Sequence, residues 1–346
     1  MKNVSLKIDG QPISVPAGTT ILDAARRLGI NIPVLCHHPK LSMTGACRVC
    51  IVEVGGQPVT SCTTVAENRM EVTTASPYIE GLRRDIVDLI LSDHPYDCMV
   101  CERAGDCELQ ELAYKYQIRT PVFSGQRRIY TKRDGNPFIE RDMEKCILCG
   151  RCVKVCDEVQ GVGAIDYAYR GFETKICPPF ERDLNCEFCG QCISVCPTGA
   201  LVSKPALCKG RTRDVRSVES ICPYCGCGCS ITYDVVKNEV IRASSRPDTV
   251  NEGWLCVKGR FGFSFIHSPD RLTTPLIRRN HDLVPVSWEE AFSFIGDRLR
   301  KIRSDAGPDA IAGLSSARCT NEENYLFQKL MRAAVGTNNV DHCARY

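Results

Sequence analysis

Apolar and polar residues alternate along 1–8 (Met1-Lys2-Asn3-Val4-Ser5-Leu6-Lys7-Ile8), the period of a half-buried strand. Runs at 4–8 and 12–15 flank Asp9-Gly10 and predict a hairpin. The period then lengthens. Ile21, Ala24, Ala25 and Leu28 fall at helical spacing over 20–28, and Gly29 supplies the stop. Runs at 48–54 and 58–63 flank Gly55-Gly56 and predict a second hairpin. Residues 77–92 place Ile79, Leu82, Ile86, Leu89 and Ile90 on one helical face. A second short helix is expected within 94–117. Residues 119–136 are polar and basic, with Arg127, Arg128, Lys132 and Arg133 before the turn Asp134-Gly135-Asn136-Pro137. A second basic stretch holds Lys209, Arg211, Arg213 and Arg216. Both read as solvated connectors, with partner or nucleotide contact as the alternative. Residues 218–273 are rich in Cys and Gly and β-like. A helix over 288–303, a strand over 310–314 and a helix over 320–334 follow, the opening of an α/β domain that needs more chain to close its sheet.

Composition changes the picture through cysteine. There are 24 in 346 residues, far above ordinary usage. The start of the chain has no apolar signal-peptide core and no twin-arginine signal. A cytoplasmic location is therefore expected, where thiols stay reduced and many cysteines mean metal rather than disulfides. Lys and Arg number 44 against 41 Asp and Glu, a balance that argues against a nucleic-acid partner. No window of 18 uninterrupted apolar residues suggests a membrane span.

The cysteine spacing carries the chemistry. Cys146-x2-Cys149-x2-Cys152-x3-Cys156 is repeated as Cys186-x2-Cys189-x2-Cys192-x3-Cys196-Pro197. This is the bacterial ferredoxin run for two [4Fe–4S] clusters, in which the fourth Cys of each run crosses to the other cluster. One cluster takes Cys146, Cys149, Cys152 and Cys196; the other takes Cys186, Cys189, Cys192 and Cys156. Paired zinc sites are the alternative, disfavoured by two complete runs each ending in x3-Cys. Asp157 stands where the second run has Pro197.

Three further sets flank the repeat. Cys36-x10-Cys47-x2-Cys50-x11-Cys62 suits a [2Fe–2S] cluster, with zinc as the alternative. His94-x3-Cys98-x2-Cys101-x5-Cys107 offers three thiolates, and His94 is the nearest fourth ligand for a [4Fe–4S] cluster. His37 and His38 read as surface residues or as neighbours of the ligands. Cys222-x2-Cys225-x3-Cys229-x26-Cys256 suits a further [4Fe–4S] cluster; Cys227 could replace a neighbour, with Cys225 and Cys229 preferred. Gly226 and Gly228 let that loop wrap closely. Lys258 could lie beside this cluster as a cofactor-binding residue, or be a solvated lysine. Cys177, Cys208, Cys227, Cys319 and Cys343 remain, and they are expected to be buried or to neighbour the ligands. One [2Fe–2S] and four [4Fe–4S] clusters in one chain amount to an electron wire.

The order of these groups resembles the N-terminal half of NAD-linked redox subunits: the large subunit of NADH dehydrogenase, iron-only hydrogenases and NAD-dependent formate dehydrogenases. The resemblance implies an α+β multidomain chain. Its parts are a β-grasp [2Fe–2S] domain at 1–76, a small helical [4Fe–4S] domain with one His and three Cys ligands at 77–118, and a two-[4Fe–4S] ferredoxin domain at 138–205. A molybdopterin-oxidoreductase [4Fe–4S] domain at 218–273 and the start of its α/β domain at 274–346 follow. Ile221-Cys222-Pro223-Tyr224-Cys225-Gly226-Cys227-Gly228-Cys229 and Trp254-Leu255-Cys256-Val257-Lys258-Gly259-Arg260 look like the opening of a molybdopterin oxidoreductase. With both ferredoxin runs complete, formate dehydrogenase is the favoured relative. Asn339-Val340-Asp341-His342-Cys343-Ala344-Arg345-Tyr346 looks like the segment before its metal-ligating selenocysteine or cysteine, which implies a longer selenoprotein. That reading implies a molybdenum or tungsten bis-pterin in the full-length protein, formate/CO2 as substrate, and a flavin- and NADH-binding iron–sulfur subunit or a hydrogenase subunit as partner. No catalytic residue is assigned within 346 residues. The alternative is an electron-transfer subunit of an NADH-oxidising or electron-bifurcating complex without formate activity.

Overall fold

A computed structural model describes residues 2–130 and 135–343. The chain folds as two units. One takes in Met1–Ser217, Asp234–Arg242 and Leu255–Val257; the other takes in Val218–Tyr233, Ala243–Trp254 and Lys258–Tyr346.

The first unit opens on the expected hairpin, β1 (Asn3–Ile8) and β2 (Gln11–Pro16), paired from Asn3–Pro16 to Ile8–Gln11. Thr20 caps α1 (Ile21–Arg27), its hydroxyl accepting from Asp23 N, and Ile21, Leu22, Ala24 and Ala25 face inward. β3 (Ile51–Val54), β4 (Gln57–Thr60) and β5 (Glu71–Thr73) complete a five-stranded sheet of order β2-β1-β5-β3-β4, with β1 and β5 parallel. β3 and β4 are shorter than the runs 48–54 and 58–63. The missing residues are turns, because Cys47, Cys50 and Cys62 must leave the ladder to face one another. Cys50 and Cys62 lie in the same core as Leu6, Ile8, Leu22 and Val52.

α2 (Pro77–Ser92) matches its expected span, but its buried face is turned from the expected one. Ile79, Arg83, Val87, Asp88 and Leu91 are buried, while Leu89 is 53% exposed. Two charges hold this rotation. Arg83 Nε donates to Ile51 O at 3.1 Å and Nη1 pairs with Glu80 at 2.8 Å, while Asp88 accepts from Val122 N at 3.0 Å. α3 (Glu108–Lys115) packs on α2 around Leu35, Val49, Val87, Leu91, Leu109 and Leu112.

The basic stretch after α3 is exposed over most of its described length but is pinned at Arg128. Arg128 pairs with Asp93 and donates to the carbonyls of Thr174 and Cys146, so it straps α2 to the repeat. Lys132, Arg133 and Asp134 lie outside the described residues. The repeat folds as β6 (Ile139–Arg141), α4 (Arg151–Lys154), β7 (Asp166–Ala168), β8 (Lys175–Cys177), α5 (Gln191–Val195) and β9 (Leu201–Ser203), with β6 against β9 and β7 against β8. The second basic stretch is exposed but tied down at the surface: Arg211 donates to Met99 O at 2.6 Å, Thr212 to Ala104 O at 3.0 Å, and Lys209 pairs with Glu239 at 2.8 Å.

β10 (Arg216–Ile221), β11 (Ser230–Val236) and β12 (Glu239–Ser244) form a sheet in that order, followed by α6 (Val257–Phe261). In the second unit the hairpin β13 (Leu276–Arg279) and β14 (Asp282–Pro285) precedes α7 (Trp288–Ala306), capped by Ser287. The strand expected over 310–314 forms later, as β15 (Gly313–Ser316), because Pro308 opens a 3-10 turn first. α8 (Asn321–Lys329) begins with a reciprocal cap between Thr320 and Glu323 and runs into a π turn over Leu330–Val335. It returns the chain to β16 (Val340–Cys343), parallel to β15, around Ile311, Met331 and Val335. This is one strand–helix–strand step of an α/β sheet. Among the described residues no helix is long and apolar enough to cross a membrane.

Candidate metal centres

Leaving the sheet before β3 and after β4 brings the first cysteine set together. Cys36, Cys50 and Cys62 are buried and Cys47 is half-buried. Cys47 N donates to Cys36 Sγ at 3.4 Å, and the Cys50 and Cys62 sulfurs lie 3.2 Å apart. Hydrogen bonding from its partner thiol lowers Cys36 to about 6, with backbone N–H groups and the Arg151 charge adding to it. The Cys62 thiol does the same for Cys50, also to about 6. Cys47 and Cys62 move up in exchange. In each pair the hydrogen bond thus favours one sulfur as thiolate over its partner, and a metal group that takes all four sulfurs needs all four deprotonated. His37 and His38 are not surface residues. His37 is buried with Nδ1 3.4 Å from Arg26 Nη2, and burial lowers His38 to about 4, so that ring is neutral.

The second set lies after α2. His94 Nδ1 is 2.9 Å from Pro95 O, an atom that only accepts, so Nδ1 carries the proton. Burial lowers the ring's pKa, and Nε2 is buried without a partner. A neutral imidazole with its lone pair bare in the interior is what ligation to iron needs. Cys101 is buried, Cys107 half-buried and Cys98 exposed. A Cβ on Gly199 would meet Cys101 Sγ at 2.6 Å, so the glycine makes room for that sulfur.

The repeat supplies the clearest geometry. Cys146, Cys149, Cys152 and Cys196 line one space, walled by Ile147, Ile165, Ile176 and Leu201. Cys156, Cys186, Cys189 and Cys192 line another, walled by Ile139, Val162, Ile165 and Leu184. Each space takes three sulfurs from one run and the fourth from the other. Gly150 (φ 76°) and Gly190 (φ 71°) make the same left-handed turn into α4 and α5, which swings the third cysteine of each run back over its loop. Burial raises Cys146 to about 11 and Cys192 to about 12.

In the fourth set Cys222, Cys225 and Cys229 share the β10–β11 loop of the second unit, closed by Cys222 N donating to Cys229 O at 2.9 Å. Cys256 packs with the first unit, where the carbonyl of Leu255 accepts from Gln191 Nε2 at 2.8 Å. Cys227, Cys256 and Lys258 are exposed. Of the remaining cysteines, Cys208 and Cys319 are exposed and Cys177 half-buried, so the burial half of the expectation does not hold for them, each sitting in a turn or at a strand end. The side chain of Cys343, and residues 344–346 of the motif ending at Tyr346, lie outside the described part.

Among the described residues no three His, Cys, Asp or Glu side chains converge as tightly as a single metal ion requires. A cluster of several irons spreads its sulfurs around a larger core, as the two four-cysteine spaces do. The donor chemistry, the bare His94 Nε2 and the room at Gly199 all fit iron–sulfur groups.

Residues between the sets were not legible as functional from spacing. Glu108 N and Cys107 Sγ both approach Pro197 O, at 3.0 and 3.7 Å, which puts Cys107 and Cys196 one residue either side of a shared contact. Lys145 pairs with Asp97 and Asp142 at 2.8 and 3.0 Å beside Cys146. Ser42 N donates to Glu158 at 2.8 Å, tying the loop after Cys36 to the end of the first run. Arg151 and Gln191 occupy the same place in the two runs, ahead of the third cysteine. That was the signal available, Cys149-Gly150-Arg151-Cys152 against Cys189-Gly190-Gln191-Cys192.

Five family models match in series. They are a 2Fe-2S iron-sulfur cluster binding domain (1–77), the NADH-ubiquinone oxidoreductase-G iron-sulfur binding region (83–121) and the ferredoxin-like domain of NADH-quinone oxidoreductase subunit 3 (136–202). The molybdopterin oxidoreductase Fe4S4 domain (215–268) and molybdopterin oxidoreductase (271–346) follow. The NADPH-Fe(3+) oxidoreductase subunit alpha of Geobacter sulfurreducens is 45% identical over 344 residues, 99% of this chain and 40% of that protein. A G-type subunit of the NADH-quinone oxidoreductase of Rhizobium meliloti is 42% identical over 351 residues, again 99% and 40%. A solved NAD+-reducing [NiFe]-hydrogenase chain superposes with a TM-score of 0.57 at 29% identity, covering 60% of this chain and 90% of its own. The chain spans about two fifths of the length of the curated relatives it matches. It carries N-terminal iron–sulfur modules and the start of molybdopterin-oxidoreductase domains, in the order of the G-type subunits of NADH-quinone oxidoreductase.

Proposed function

We propose that the chain is the multi-cluster electron-transfer part of an NAD(P)H-linked oxidoreductase complex. The observation that carries this is the pair of four-cysteine spaces in the repeat, each completed by a sulfur from the other run. Iron–sulfur clusters, when bound, supply one-electron transfer. Cys36, Cys47, Cys50 and Cys62 would hold a [2Fe–2S] group. His94, Cys98, Cys101 and Cys107, the two sets of the repeat, and Cys222, Cys225, Cys229 and Cys256 would each hold a [4Fe–4S] group.

The chain's own residues do the rest. Isoleucine, leucine and valine side chains exclude water from the two repeat sites, which keeps the local dielectric low and the electrostatic effect of nearby charges large. His94 offers a neutral ligand, so its site carries one negative charge fewer than a four-thiolate site. The contacts at Pro197 and at Glu158 hold neighbouring sites at fixed separation.

The similar proteins bear NADPH- and NADH-linked names and support this reading over formate oxidation. The formate reading rests on the Cys222–Cys229 loop, the stretch around Lys258 and the motif ending at Tyr346, with molybdenum or tungsten as its metal. The test uses the native complex under anaerobic conditions. NAD(P)H should reduce its clusters, followed by electron paramagnetic resonance, while formate leaves them oxidised. Reduction by formate together with molybdenum or tungsten in the preparation would reverse the assignment. Iron well below about 18 per chain would reject five clusters.

A further inference from the structure

The two spaces of the repeat differ in one buried hydroxyl. Cys196-Pro197-Thr198 ends the second run where Cys156-Asp157-Glu158 ends the first. Because the fourth cysteines cross, Thr198 lines the space of Cys146, Cys149, Cys152 and Cys196, and it carries the only hydroxyl among the described residues there. It is 1% exposed. Its Oγ1 donates to Lys145 O at 2.8 Å and lies 3.8 Å from Cys196 Sγ. None of the described residues lining the other space has a hydroxyl. At the matching place Glu158 accepts from Ser42 N at 2.8 Å, and Cys156 Sγ accepts from a backbone group, Ala164 N, at 3.3 Å.

We propose that the Thr198 hydroxyl donates a hydrogen bond to the Cys196 thiolate when a cluster is bound, and that it holds that cluster's reduction potential above the value set without it. The proposal deepens the cluster assignment above and rests on it. Three observations carry it. The first is the contact itself, a hydroxyl oxygen against a ligand sulfur inside the four-cysteine space. The second is where the hydrogens go. A Cys196 thiol donates to Oγ1 while the hydroxyl donates to Lys145 O, and every group is matched. Ligation takes the thiol proton away. Oxygen lone pairs then face a thiolate with no hydrogen between them. Turning the O–H from Lys145 O onto the sulfur removes that repulsion and makes a charge-assisted bond. The third is burial, which leaves the sulfur and the carbonyl as the acceptors within reach. Reduction adds negative charge to the cluster, so a donor on its sulfur favours the reduced form. The electron enters the cluster and the hydrogen stays bonded to Oγ1, so no proton is taken up. Thr198 touches a ligand sulfur and no substrate; it is a positioning residue that sets a potential.

Thr198→Val keeps the shape and removes the hydroxyl. In the native complex, redox titration followed by electron paramagnetic resonance should show the midpoint of the cluster at Cys146, Cys149, Cys152 and Cys196 falling. The expected change is on the order of tenfold in the one-electron equilibrium, about 59 mV. The cluster at Cys156, Cys186, Cys189 and Cys192 serves as reference and should stay in place. Thr198→Ser keeps the hydroxyl and should return the midpoint to the wild-type value. A midpoint unmoved in Thr198→Val at full iron content, or lowered equally in Thr198→Ser, would overturn the proposal alone. The wild type gives a second readout that does not depend on the valine variant loading. Brief exchange into D2O labels a hydroxyl before buried backbone amides. Electron–nuclear double resonance on the reduced complex should then show a deuterium coupling at the cluster beside Thr198 and none at the reference cluster. Its absence would overturn the proposal whatever the variants do. A wild-type complex without iron or cluster signals would overturn the assignment beneath it as well.

Discussion

His94 shows how much one atom can decide. Its Nδ1–H is committed to Pro95 O, which leaves Nε2 bare and buried. A buried nitrogen without a partner is costly, and the arrangement fits the metal-ligand role proposed for it. His94→Ala should lower iron by roughly four atoms per chain, measured by metal analysis. His94→Cys should retain the iron and lower that cluster's midpoint, because a thiolate adds the negative charge that imidazole lacks. Gly199 acts through size. A methyl there would press on Cys101 Sγ, with Lys145 and Arg103 filling the other sides. Gly199→Ala should therefore lose the same cluster while the [2Fe–2S] signal survives, as read by electron paramagnetic resonance. The sequence showed His94 through its spacing to Cys98. It did not show Gly199, whose partner lies about a hundred residues away in the chain.

At the scale of elements, α2 separates what periodicity can and cannot determine. The span Pro77–Ser92 followed from the apolar spacing and from proline at its start. The rotation did not, because Arg83 and Asp88 face inward and Leu89 outward. A hydrophobic pattern treats buried charge as an error, whereas Ile51 O and Val122 N provide the partners that make it tolerable. Arg83→Met should destabilise the first unit by about 2–3 kcal/mol in urea unfolding, since it orphans a buried carbonyl and leaves Glu80 unpaired. The two runs of the repeat make a sharper test. Cys196→Ser should abolish the cluster of Cys146, Cys149 and Cys152, and Cys156→Ser that of Cys186, Cys189 and Cys192. If each serine removed the cluster of its own run, the crossed geometry would be wrong.

At the scale of the whole molecule, spacing set out the cysteine groups in order and predicted which sulfurs belong together in the repeat. It could do so because a cluster loop is local: three ligands within seven residues are placed by the turn itself. The same locality made the basic stretches look solvated, although Arg128 and Arg211 are tied down by carbonyls far off in the chain. The motifs also favoured formate dehydrogenase, whereas the similar NADH- and NADPH-linked proteins support the alternative, electron transfer without formate chemistry. Iron near 18 atoms per loaded chain, with NAD(P)H as reductant of the native complex, is the expected outcome by metal analysis and spectroscopy. By itself, then, the sequence determined the spacing of the candidate ligands, the hairpins, the helix spans and the order of modules, all set by contacts between residues close in the chain. Only the tertiary structure decided that Arg151 grips Glu108, that Pro197 O meets both Glu108 N and Cys107 Sγ and that α2 turns its charges inward. Those depend on groups brought together across tens of residues, where burial converts a weak surface charge into a strong local one.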